Sequence, residues 1–319
     1  MFTMVSPQEI EQASDIIRRG GLVAFPTETV YGLGANALDP IAVAKIFACK
    51  ERPSFDPLIV HIASMDQLWQ LVGARDERVV QLARLFWPGP LTIVLPKKHQ
   101  VPDIVTSGLS TVGIRMPDHP VALALIKASG CPIAAPSANK FGKLSPTKAE
   151  HVQKQLRTVD YILDGGDTRV GIESTVITLH DDGFVVLREG IITAEELEKA
   201  VPRSARCSSR EEQIAAPGHI LSHYSPNKPL YIWGDHPNIP DTARGAFLSA
   251  GSPPPAPFRR VEVLSENGDL YQIAARLFQT LHALEEDESV EFIVAEPVEE
   301  AGIGLAIMDR LKKAAFQYR

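Results

Sequence analysis

Leu22-Val23-Ala24-Phe25-Pro26-Thr27-Glu28-Thr29-Val30-Tyr31-Gly32-Leu33-Gly34 passes from an apolar run into a turn of hydroxyls and glycines. Residues 22–25 read as a buried strand, and Pro26 stops it because proline has no ladder N–H. The turn can expose backbone N–H groups and threonine hydroxyls to a ligand. It is not a dinucleotide loop, because the third glycine and the directly following capped helix are missing. N-terminal to it, Ser6, Pro7 and Glu9 form a helix start with a capping box. Ile10, Ala13, Ile16 and Ile17 share one face of that helix, and Gly20-Gly21 ends it. C-terminal to the turn, Asp39-Pro40 opens a helix through Lys50, and residues 58–62 read as a strand.

The same alternation continues. Helices are expected at 66–72, 76–86 and 120–129, and strands at 91–95, 111–115, 132–135 and 161–163. Ser145-Pro146 reads as the start of another capped helix, and Thr193 with Glu196 as a second capping box. Residues 174–179 pair with 184–188 across the His180-Asp181-Asp182-Gly183 turn. Interleaved helices and strands with one hairpin predict an α/β fold with a mixed sheet. Residues 201–228 lose periodicity and gain Arg, Ser, Pro and Gly, as a linker does. Beyond them, strands at 230–233, 246–248, 261–264 and 292–295 and helices at 269–284 and 302–316 predict a small parallel α/β domain. The expected division is residues 1–200, a linker at 201–228, and 229–319.

With 319 residues the chain can bury a large core without staples. Its net charge of −7 argues against a generic nucleic-acid binder, so any nucleotide contact should be a local basic pocket. The three cysteines form no C-x-x-C pair, which fits a reducing cytoplasmic compartment. No signal peptide is read at Met1 to Glu11, and no apolar run is long enough to span a membrane.

Several polar groups interrupt the apolar strands. Lys50-Glu51-Arg52-Pro53 puts two cations just past a helix C-terminus. There they can offset the helix dipole or clamp phosphates, Lys as a point charge and Arg as a fork. His61 alternates with Ile59 and reads as a core histidine, the commoner fate of a lone strand histidine. Arg115, in Val112-Gly113-Ile114-Arg115-Met116-Pro117, needs a partner or an anion if it is buried. Pro136-Ser137-Ala138-Asn139 offers hydroxyl and amide groups at a strand end, where α/β sheets bind ligands. Ile172-Glu173-Ser174-Thr175-Val176 and Leu187-Arg188-Glu189-Gly190 repeat the pattern. There is no Walker A loop, H-E-x-x-H or G-x-S-x-G. His219 and His223 stand i, i+4 without a third ligand, so no zinc site is expected.

The order of these segments resembles the YrdC-like family over nearly all of residues 6–200. The series runs from Phe25–Gly34 through Lys50-Glu51-Arg52-Pro53 and Pro57–His61 to Trp87-Pro88-Gly89-Pro90-Leu91-Thr92. Gly113-Ile114-Arg115-Met116-Pro117, Ala135–Asn139, Ser174-Thr175-Val176 and Leu187-Arg188-Glu189-Gly190 complete it. Ala216-Pro217-Gly218-His219, Ser222-His223-Tyr224-Ser225-Pro226 and Gly302–Leu311 resemble the long, two-domain form of the family.

The resemblance implies a twisted mixed sheet with a concave cationic pocket, followed by a smaller Rossmann-like domain. It also implies a reaction of ATP, L-threonine and bicarbonate that yields threonylcarbamoyl-AMP and pyrophosphate. That product serves threonylcarbamoyladenosine formation in tRNA through a downstream transferase complex, with transient or no direct tRNA binding. By the same resemblance Thr29, His61, Arg115 and Ser174 contact threonine, with the Ala135 backbone a further candidate. Lys50, Arg52, Ser137, Asn139, Ser145 and Arg188 line the ATP side, with Thr111 a further candidate. Lys50, Arg52 and Arg188, with Mg²⁺, are expected to offset phosphate charge, and Tyr224 closes over the nucleotide as part of a linker lid. Asp56 stands where relatives carry Asn or a basic residue, so direct ATP contact is not expected there. Ile220 and Ser222 replace basic residues of some relatives in the linker motif. Two other readings remain: an RNA-binding module without catalysis, and carbamoyl transfer from another donor, as in hydrogenase-maturation proteins with a similar domain.

Overall fold

The computed structural model describes residues 5–73, 75–206, 208, 223–236 and 239–316. The first sheet contains β1 (Val23–Phe25), β2 (Gly32–Asn36), β3 (Ile59–His61), β4 (Leu91–Pro96), β5 (Thr111–Arg115), β6 (Ile133–Ala134), β7 (Tyr161–Ile162), β8 (Thr175–His180) and β9 (Gly183–Arg188). Its order is β7-β1-β2-β6-β3-β5-β4-β8-β9. The sheet is mixed: β3 runs parallel to β5 and β4 to β8, whereas β8 and β9 form the expected antiparallel hairpin. The second sheet contains β10 (Leu230–Ile232), β11 (Gly245–Ser249), β12 (Arg260–Val263) and β13 (Phe292–Ala295), in the order β10-β13-β11-β12 with each pairing parallel. The chain is therefore α/β, a large mixed sheet followed by a small parallel one.

The helices are α1 (Pro7–Arg18), α2 (Pro40–Lys50), α3 (Met65–Leu71), α4 (Glu77–Phe86), α5 (Asp103–Thr106), α6 (Pro120–Ser129), α7 (Ala149–Gln155), α8 (Ala194–Leu197), α9 (Leu270–Glu286) and α10 (Ile303–Ala314). Both expected capping boxes form, at Ser6 with Glu9 and at Thr193 with Glu196. Asp39 caps α2 by accepting from the N–H groups of Ile41 and Ala42.

Two expectations change. Gly32–Asn36 is a strand, not only a turn. A Cβ on Gly34 would lie 2.7 Å from Ile133 Cγ2 and from the Phe25 ring, so close packing, not a bend, requires this glycine. Ser145-Pro146 does not start a helix, and α7 begins at Ala149 without a side-chain cap. The Ser145 hydroxyl instead donates to the Glu173 carboxylate and is unavailable as a cap.

The two sheets are not independent bodies. Val30, Leu144, Val170 and Ile172 belong to the same apolar cluster as Leu277, Phe278 and Leu281 on α9. His151 on α7 and His282 on α9 stack across this seam, with ring centroids 3.9 Å apart. Burial, with the neighbouring His282, Lys148 and Lys154, pushes His151 down to about 3. Burial pushes His282 down to about 4, against the Ser145 carbonyl and Glu286, with Lys154 adding to the fall. Both rings are neutral when folded and would take protons when unfolded. The unfolded chain thus binds more protons below about pH 6.5, and stability falls as pH drops from there toward 4. His282→Gln should flatten a plot of stability against pH in that window by at most about 1.4 kcal/mol per pH unit, one proton's slope. Urea midpoints at a series of pH values check this; an unchanged slope would sink it.

Candidate active site

The site is built where strands end. In the parallel pair β3/β5, His61 lies opposite Arg115, so both side chains arrive together at the C-terminal edge. The neighbouring β6 leads directly into Ala135-Pro136-Ser137. The Thr27–Val30 turn after β1 completes this side. Thr27 donates its hydroxyl to the Val30 carbonyl (2.7 Å) and lies 2.8 Å from the Thr29 hydroxyl. Ser174 precedes β8 and Arg188 ends β9, which brings both to the same edge. These groups line one cavity.

Three arginines face this cavity, and each is held from behind. Arg115 Nη2 donates to Thr29 Oγ1 (3.0 Å) and pairs with the buried Glu28 carboxylate at 2.7 Å. Its Nε has no hydrogen-bond partner among the described residues, leaving a donor for a ligand. Arg52 donates to the carbonyls of Asp56 (3.0 Å) and Pro57 (2.9 Å) and pairs with the Asp56 carboxylate at 2.8 Å. Asp56 is thus the counter-charge of Arg52 and does not itself line the cavity. Arg188 donates from Nε and Nη2 to the Ser174 carbonyl, at 3.1 and 2.9 Å. His61 is buried, and desolvation together with Arg115 pushes it down to about 3, so it presents a neutral imidazole. Its Nδ1 has no hydrogen-bond partner among the described residues.

Of the residues expected from sequence, Thr29, Arg52, His61, Arg115, Ala135, Ser137, Ser174, Arg188 and Tyr224 come together in this cavity. Lys50, Thr111, Asn139 and Ser145 do not line it. Lys50 is fully buried and gives its ammonium to the carbonyls of Ser137 and Asn139. Burial, with Arg52 nearby, holds it well below the usual lysine range. It therefore braces the loop that carries Ser137 and does not face the cavity as a phosphate clamp would. Asn139 braces the same loop by donating to the carbonyls of Lys140 and Lys143. Thr111 starts β5, four residues or roughly 13 Å from Arg115 at the other end of the strand.

Three polar lining residues had no assigned role in the sequence: Thr27, Glu173 and His223. The only signal for Glu173 is its place beside Ser174. Tyr224 is fully buried with φ of 60°, and its hydroxyl has no hydrogen-bond partner among the described residues. His219, Ile220, Ser222 and most of the linker lie outside the described residues.

Residues 15–190 match the Sua5/YciO/YrdC family model, described as "Telomere recombination". Residues 192–316 match the model for "Threonylcarbamoyl-AMP synthase, C-terminal domain". The threonylcarbamoyl-AMP synthase of Bacillus subtilis is 45% identical, over 96% of this chain and 93% of its own. The chain belongs to the threonylcarbamoyl-AMP synthase family, in its long two-domain form. The family member of Pyrococcus abyssi is 43% identical over 96% of this chain and 94% of its own. The solved P. abyssi Sua5 complexed with L-threonine superimposes with a TM-score of 0.85 at 41% identity, covering 98% of this chain and 96% of that one. Escherichia coli YciO matches 58% of this chain and 91% of its own, with a TM-score of 0.51 at 28% identity.

Among the described residues no group of three His, Cys, Asp or Glu side chains is placed to hold a metal ion. Glu173, the one carboxylate among the described residues that lines the cavity, is engaged by Ser145 and by Arg310 at 3.2 Å. The described residues therefore do not fit a protein-held Mg²⁺. No described helix is long and apolar enough to cross a membrane.

Proposed function

We propose that this chain makes threonylcarbamoyl-AMP, acting as a nucleotidyltransferase on L-threonine, bicarbonate and ATP. The observation that carries this reading is one cavity with two faces. Thr29, His61, Arg115 and Ser174 suit a small amino acid, and Arg52, Ser137, Arg188 and Tyr224 suit a nucleotide.

In this scheme Arg115 receives the threonine carboxylate, using the unoccupied Nε, while Glu28 keeps the guanidinium in place. The threonine amine forms an N–C bond with bicarbonate, and water leaves. An oxygen of the resulting carbamate bonds to the α-phosphorus of ATP, the bridging P–O bond breaks, and pyrophosphate leaves. Such transfer needs alignment and charge neutralisation more than covalent help. Arg52 and Arg188 supply preorganised positive charge, while Lys50 and Asn139 hold the Ser137 loop against it. Among the described residues no carboxylate set would hold Mg²⁺, so metal brought with ATP would add to the charge neutralisation that Arg52 and Arg188 supply. Carbamates decompose in water, so burial of Tyr224 over the cavity suits a linker, at 201–228, that closes between a catalytic domain (1–200) and a smaller one (229–319). The product is consumed by a downstream transferase acting on tRNA, with little direct tRNA contact by this acidic chain, in the cytoplasm.

Pyrophosphate release, measured with and without L-threonine and bicarbonate, tests the reading. Release that needs both, in the absence of RNA, is the expected result. Tight, salt-sensitive tRNA binding with no turnover would replace it with an RNA-binding role.

A further inference from the structure

Arg310 on α10 is the largest fully buried side chain of the described chain, 1% exposed, and it comes from the second sheet's half of the molecule. A guanidinium buried this completely is seldom retained for stability alone, since an apolar residue of similar size often does as well. What distinguishes Arg310 is its set of partners. Nε donates to Glu173 Oε2 at 3.2 Å, and Glu173 precedes Ser174. Nη1 donates to the Glu189 carbonyl at 2.6 Å, and Glu189 follows Arg188. The guanidinium carbon lies 5.6 Å from the centre of the Tyr224 ring, within cation–π range. One planar fork thus ties together three separate segments, each of which supplies a residue to the cavity. Asp309 lies 3.1 Å from Nη1 and adds to the charge balance.

We propose that Arg310 is a positioning residue for the nucleotide half of the site, through which the second domain sets the places of Glu173, Arg188 and Tyr224. The inference rests on the synthase reading above and deepens it: α10 completes the ATP side, whereas Thr29, His61 and Arg115 are held within the first sheet. Arg310 touches neither substrate; it acts through Tyr224, Glu173 and the backbone beside Arg188. A lysine there keeps the charge but cannot satisfy Glu173 and the Glu189 carbonyl with one rigid fork.

The test uses the full chain with Arg310→Met and Arg310→Lys. Pyrophosphate release gives KM for ATP and kcat, and calorimetry without nucleotide gives threonine affinity. For Arg310→Met the ATP KM should rise about 10- to 100-fold, the worth of a hydrogen bond to a charged group, with threonine affinity within about twofold of wild type. Arg310→Lys should recover part of that loss. A wild-type ATP KM in Arg310→Met overturns the proposal, and so does an equal loss of threonine and ATP binding, which a merely structural role would give. If Arg310→Met does not fold, Arg310→Lys decides alone: it should show a raised ATP KM with intact threonine binding, and wild-type values for both refute the assignment. If the wild-type chain releases no threonine-dependent pyrophosphate, the synthase reading falls separately. ATP affinity by calorimetry then still tests Arg310, and equal affinities in wild type and Arg310→Met reject it.

Discussion

Arg115→Ala should abolish measurable threonine-dependent turnover, a loss of about 10²–10³-fold or more, and should destabilise the fold at the same time. The two effects have different origins. Arg115 carries the free Nε at the cavity and orders Thr29 through its hydroxyl, so its removal takes away the proposed carboxylate anchor and loosens a second contact. Its removal also strands the Glu28 carboxylate, 0% exposed, whose Oε1 otherwise lies 2.7 Å from the guanidinium. Breaking a buried pair from one side costs about 3–5 kcal/mol because a charge is left uncompensated. Arg115→Ala with Glu28→Gln should regain most of that stability in urea denaturation yet remain inactive. A single variant with wild-type threonine KM would refute the anchor, and a double variant no more stable than the single would refute the role of Glu28.

Gly171→Ala should lower both stability and turnover, although Gly171 lies outside the cavity wall. Gly171 sits at φ of 80°, and a Cβ there would meet backbone atoms of α9, Ala274 O at 2.4 Å and Ala275 Cα at 2.6 Å. Helix backbone cannot give way as a flexible side chain can. The left-handed conformation costs about 1–2 kcal/mol and overpacking a further ~1–3 kcal/mol. The alternative to that cost is displacement of residues 170–174, the segment that delivers Glu173 and Ser174. A shift of about 1 Å in such a segment can reduce turnover about 10²-fold. Gly130→Ala is the control, because Gly130 has φ of 67° with nothing within 4 Å of the added Cβ. It should show only the conformational cost and normal turnover. Equal losses in the two variants would mean that the seam with α9 does not position the site.

Much of the fold is legible locally. Ser6 and Glu9, Asp39-Pro40, and Thr193 and Glu196 announce helix starts through hydrogen bonds that close within four residues. The β8/β9 hairpin follows from two apolar runs around a short turn. The Gly32–Asn36 strand is illegible by the same means, because glycine weakens strands and is kept here for contact with Ile133 and Phe25. The site divides in the same way. His61 and Arg115 are visible as polar interruptions at strand ends, but Lys50 reads as a clamp and turns out to bind carbonyls 87 and 89 residues further along.

The order of segments in the sequence determined the family, the α/β class and the residue types at the strand ends, because each depends on neighbours in the chain. Only the tertiary structure decided which cation faces the cavity and which stands behind it. That choice turns on where each charge finds its counterpart: Glu28 for Arg115, Asp56 for Arg52, main-chain oxygens for Lys50, Glu173 for Arg310. Burial makes an uncompensated charge costly, and for all but Arg52 the compensating group comes from a distant part of the chain.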